Sequence, residues 1–78
     1  MTIKMNKHLL KINPNNICGV DINKNNNQLR FGTYSRQIMC MEFPVNITQE
    51  GIDTILKTIA QALENDWNIV DLDAVLKE

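Results

Sequence analysis

The side chains best suited to chemistry in this sequence are one histidine, His8, and two cysteines, Cys18 and Cys40. A thiol–imidazole pair works only where the two groups meet in space and a third group orients the ring. A zinc site needs four ligands, commonly in close pairs such as C-x-x-C. Neither spacing is present. The three residues are therefore read as two strand cysteines acting as small core hydrophobes, reduced and buried, and one surface histidine. No residue is assigned to catalysis, to a cofactor or to a metal.

Charged groups come next. Asp66, Asp71 and Asp73 approach a cluster but lack the D-x-D-x-D-G loop of a calcium site, so they read as a solvated acidic end. Arg30, Tyr34 and Arg36, with Lys24 at a turn, could form a basic and aromatic patch of the type that holds phosphates or stacks bases. Without a glycine-rich loop the same residues also make an ordinary polar sheet face.

These side chains must be positioned by one small core. A chain of 78 residues has room for a single domain, 1–78, and its net charge of −1 supplies no overall attraction to nucleic acid or to anionic lipid. The opening run MTIKMNKHLL lacks the continuous apolar stretch of a signal peptide, and no later run is long enough to cross a bilayer. A cytoplasmic protein with no membrane partner is expected.

The strongest local signal is a helix over 48–64. Ile52, Ile55, Leu56, Ile59, Ala60 and Leu63 fall on one face, while Glu50, Asp53, Lys57 and Gln61 fall elsewhere. Thr48 caps its start, Ile47 is placed to fold over Ile52, and Asn65-Asp66 ends it. Gly51 in the first turn points to close packing or to a late helix start. Residues 7–45 read as a sheet: an extended segment to Ile12, a turn at Asn13-Pro14-Asn15-Asn16, and strands over 17–23 and 28–34 joined by an asparagine-rich turn with Asn25 at positive φ. In the run QIMCMEFPV apolar groups occupy both faces, which predicts a strand covered twice and ended by Pro44. Residues 1–6 are expected to be loosely ordered. The tail, 67–78, is expected to form a short helix capped by Asp71, the alternative being a short strand over 67–70 before it, with Trp67 sealing one end of the core. The fold class is α+β: a small antiparallel meander of three to four strands, one long amphipathic helix packed on one face, and a short C-terminal helix.

The run GTYSRQIMCMEFPVNITQEGIDTILKTIAQAL resembles the C-terminal strand, proline, Ile-Thr cap and final helix of fold-type I pyridoxal-phosphate aminotransferases of the ornithine and aminobutyrate group. The resemblance covers less than half of the chain. It implies a strand–proline–helix unit and nothing about activity, because the family's Schiff-base lysine and cofactor contacts lie in a large domain with no counterpart here. The family's arginine and paired prolines are also absent, since the chain reads Cys40-Met41-Glu42-Phe43-Pro44.

The leading functional expectation is a non-enzymatic binding or regulatory protein, of the inhibitor, immunity-factor or adaptor type, that docks on another protein or on itself as a homodimer through a sheet face or edge. Ile17 and Ile38, with Cys40, are expected on the second sheet face beside Arg30 and Tyr34, with Arg36 nearby, because Leu29, Phe31, Met39, Met41 and Phe43 would face the helix. The tail is the alternative cover for that face. Nucleic-acid binding through Arg30, Tyr34 and Arg36 is the second reading, and a small enzyme or enzyme subunit using Cys18 or Cys40 is the third.

Overall fold

The periodicity of residues 48–64 is realised as α1 (Gln49–Glu64) in a computed structural model that describes residues 1–76. Thr48 is the N-cap: the Gly51 N–H donates to its Oγ1 at 3.0 Å. At the other end the Trp67 N–H reaches back to the Ala62 carbonyl at 3.1 Å, the long bond of a Schellman motif. The left-handed residue that permits this is Asp66, at φ 53°, rather than Asn65, whose side-chain amide instead donates to the Gln61 carbonyl. Gly51 lets the chain pack tightly, since a Cβ there would stand 3.1 Å from Ile47 Cγ1 and 3.3 Å from Leu76 Cδ2.

The expected α+β fold is realised, with a three-stranded antiparallel meander, one long helix and a short C-terminal helix. Beside the meander stands a further, mixed three-stranded sheet that the alternation did not predict. The first sheet in chain order is this mixed one, in the order β2-β1-β6, and combines β1 (Thr2–Met5), β2 (His8–Lys11) and β6 (Ile69–Asp71). The second, in the order β3-β4-β5, is the antiparallel meander of β3 (Ile17–Asn23), β4 (Gln28–Thr33) and β5 (Ile38–Glu42). A short 3₁₀ turn at Pro14–Asn16 links the two, with the Asn13 side chain accepting from the Asn15 N–H.

Residues 1–6, expected to be loose, instead supply the central strand of the first sheet, and Ile3 and Met5 are completely buried. A two-residue turn with Asn6 at φ 52° and Lys7 at φ 65° joins β1 to β2, which has the twist that a tight hairpin requires. The tail contains both of the structures weighed for it. Residues 69–71 pair in parallel with β1, and α2 (Leu72–Leu76) follows, with Asp71 Oδ1 accepting from the Ala74 N–H. Residues 77 and 78, the end of the expected tail helix, lie outside the described residues.

One core joins the layers. Ile3 and Met5 of β1, Val70 of β6 and Leu72 of α2 are buried with Leu29, Phe31, Met41 and Phe43 of the second sheet and with Ile52, Ile55, Ile59 and Ala62 of α1. Ala62 replaces Ala60 in the buried stripe, because α1 is centred on Ile55 and Ile59 and so turns Ala60 outwards. Trp67 does not seal the core: it is 40 % exposed, displaced past the helix end by the turn at Asp66.

Candidate functional site: the outer face of the antiparallel sheet

Alternation along β4 buries Leu29, Phe31 and Thr33 against α1 and leaves Gln28, Arg30 and Gly32 on the other side. The register carries this across β5: Leu29 pairs with Met41 and Phe31 with Met39, so Ile38, Cys40 and Glu42 stand on the outer face. No element among the described residues covers that face, because the tail that could have done so is the parallel partner of β1 in the other sheet. The strand expected to be covered twice is therefore covered once. Ile38 remains 64 % exposed, and Tyr34, in the turn that joins β4 to β5, 72 %.

Ile17 is not on this face. A bulge between Ile17 and Gly19 sets Ile17 opposite buried Thr33, half-buried against the core with Val20 and Ile22. The extra residue reverses the phase of the strand start, which simple alternation from Val20 cannot reveal. It also turns Cys18 outwards, with its Sγ 3.5 Å from where a Gly32 Cβ would be. Both cysteines are exposed and free rather than buried. Gly19 and Gly32 are opposite one another in the register, and the open space above Gly19 makes a shallow trough beside Ile38, which follows Gly32 across the sheet.

The basic patch does not assemble as three free groups. Arg30 is held flat by Asp21 on β3, with Nε donating to Oδ1 at 2.8 Å and Nη2 to Oδ2 at 2.9 Å. This fork matches the carboxylate geometry and neutralises the guanidinium. The pairing was open to discovery by counting, since Asp21 and Arg30 lie symmetrically about the asparagine turn and fall opposite each other. Tyr34 and Arg36 lie beyond the end of β4, about 10 Å or more along the chain direction from Arg30 at ~3.3 Å per residue. Arg36 is at φ 67°, closing a three-residue turn in which Thr33 Oγ1 accepts from the Gln37 N–H at 3.0 Å.

The hydrogen bonds from Arg30 hold the Asp21 carboxyl below its ordinary value; desolvation opposes them in part, and the positive charge of the guanidinium adds a smaller lowering. The folded pKa lies below the unfolded one, so the pair's contribution is present above the unfolded pKa and is lost as pH falls through the folded pKa. Asp21→Asn is accordingly expected to lower the melting temperature slightly at neutral pH and to melt together with the parent in strong acid. A difference that persists in acid would mean that the side chain acts by packing alone.

Two hollows flank α1. The larger, about 720 Å³, lies between residues 44–48, Gly51 and the Val75–Leu76 end of α2. The smaller, about 390 Å³, runs between β3 and α1 and is lined by Ile17, Val20, Leu56, Ile59, Ala60 and Leu63 among others. Among the described residues there is no group of three or more His, Cys, Asp or Glu side chains able to hold a metal ion, and no helix long and apolar enough to cross a membrane. His8 lies on β2, in the other sheet from both cysteines. No protein-family model, no curated protein and no solved structure matches this chain.

Proposed function

We propose that this chain is a small non-enzymatic binding protein, of the inhibitor or adaptor type, that docks on another protein through the outer face of its antiparallel sheet. The observation that carries this reading is Ile38, a large apolar side chain exposed on the outer face at the start of the edge strand β5, beside a glycine trough and next to an exposed tyrosine turn. An apolar centre with an aromatic neighbour and a paired-charge rim is the composition of a protein-binding patch. Arg30 and Asp21 form that rim already matched to each other, so they present little net charge to a polyanion.

The test is capture from an extract of the source cell on immobilised protein, with Ile38→Lys and Tyr34→Ser run in parallel. A partner retained by the parent is expected to bind Ile38→Lys at least about 10-fold more weakly, the loss typical of a residue at the centre of an interface. Because Ile38 is exposed, the variant is expected to keep its stability to within about 0.5 kcal/mol. Equal capture by parent and variant would remove this face from the function. Retention on heparin that falls steeply with salt would favour the nucleic-acid reading.

A further inference from the structure

We infer that β3 is a self-association edge: two copies of this chain pair antiparallel along it, joining their sheets into one of six strands with both α1 helices on the same side. The inference is independent of the Ile38 face, which lies on the sheet surface and not at this edge.

An unpaired strand edge offers free N–H and C=O groups, and proteins blunt such edges with lysine, proline, short length or cover. The other edges here are guarded in those ways. β2 is flanked by Lys7 and ends in Lys11, β6 has three residues, and β5 runs into Pro44 within two residues of its end. β3 has seven residues and neither lysine nor proline, and its regular register runs over residues 19–23. Its bulge guards the first two residues alone. Along this same edge lies the open hollow between β3 and α1, whose apolar lining an approaching chain would have to cover.

The occupant that fits is a second copy, because the surface is complementary to itself. In a two-fold antiparallel pair each position meets its symmetry mate. An axis beside Val20 sets Val20 against the partner's Val20 over the hollow, and sets Asp21 opposite the partner's Gly19. There the space is empty, and no carboxylate faces another. The hollow's lining sets residues 56–63 of α1 alongside residues 17–20, and the proposed axis passes the helix at Ala60, the exposed residue near the middle of that span. Ala60 is small and exposed. Exposed Lys57 and Glu64 lie about one turn before and one turn after it, and rotation about the axis brings Lys57 of each copy to Glu64 of the other. Two apolar hollows close against each other, and two pairs of opposite charge flank the join.

Sedimentation velocity of the full chain over a wide concentration range tests this. The parent is expected to pass reversibly from monomer to dimer, and those amides within residues 19–23 that point away from β4 to become protected from exchange as the dimer fills. Lys57→Glu, which places like charges together twice, is expected to weaken the dimer about 10-fold, and the double exchange Lys57→Glu with Glu64→Lys to restore it. Ala60→Arg is expected to give monomer throughout, with unchanged far-UV circular dichroism because the position is exposed. Ile38→Lys is expected to leave the dimer intact, which separates this result from the docking test. A parent that stays monomeric at millimolar concentration overturns the inference. So does a dimer indifferent to Ala60→Arg, or a charge exchange that fails to restore what Lys57→Glu lost.

Discussion

Ile55→Asp is expected to leave the chain without a cooperative melting transition. Ile55 is completely buried at the centre of α1, in the cluster that holds Leu29, Phe31 and Met41, and no basic side chain belongs to that cluster. An unpaired carboxylate placed there either stays ionised at a cost of several kcal/mol or takes up a proton and still lacks a hydrogen-bond partner. A chain of this size has roughly 4 to 12 kcal/mol of stability in total, so one such substitution is of the same order as the whole. Gln61→Asp, on the exposed side of the same helix, is the control and is expected to shift stability by about 0.5 kcal/mol or less. Circular dichroism during urea titration distinguishes the two. A variant at Ile55 that unfolded at the parental midpoint would mean that α1 does not lie over the sheets.

Removal of residues 1–5 is expected to have an effect as large. Ile3 and Met5 are both completely buried, and β1 is the strand on which β2 and β6 depend for every hydrogen bond of their sheet. Truncating a buried Ile or Met to Ala costs about 2 to 5 kcal/mol each, and deletion adds the loss of both ladders. The shortened chain should therefore show no cooperative urea transition by circular dichroism, while Ile3→Ala alone should keep a transition at lower denaturant. Native-like melting of the shortened chain would show that the second sheet and α1 are sufficient by themselves.

The contrast between these two positions shows what the residues disclose. Ile55 belongs to a stripe repeated over four turns, with a threonine cap in front and a stop behind, so each local preference agrees with the others. The strands β3, β4 and β5 were legible for a similar reason, since their alternation sits between strong turn residues. Ile3 and Met5 make two apolar positions in a strand of four residues, too few to establish a period, and their partner Val70 lies at the far end of the chain. The division into two sheets follows from that remote pairing and was hidden with it. At the candidate site, the outward placement of Ile38 and the core-facing set Leu29, Phe31, Met41 and Phe43 follow from alternation, whereas the exposure of Ile38 does not, because apolar groups on both faces of the strand implied a second cover. Ile17 and Cys18 do not, because one bulged residue inverts the phase. The turn register likewise misled by two positions: Asn27, at φ 53°, takes the left-handed place expected for Asn25, and its side-chain amide donates to the Phe43 carbonyl at 3.2 Å.

The parallel pairing of Thr2 with Ile69 and of Lys4 with Asp71 also fixes an order of events during synthesis. The hairpins of β3–β5 are built from neighbours and can close as soon as they emerge, whereas β1 must wait for β6, with Ile69 made 67 residues after its partner Thr2. At ~5 to 20 residues per second that delay is several seconds, far longer than the microseconds in which a hairpin forms. Throughout it the nascent chain carries Ile3 and Met5 without their final cover, on a strand whose one early partner is β2. Closing so large a loop adds an entropic barrier late in assembly, so folding should be slow relative to other chains of this length and sensitive to anything that holds the two ends apart.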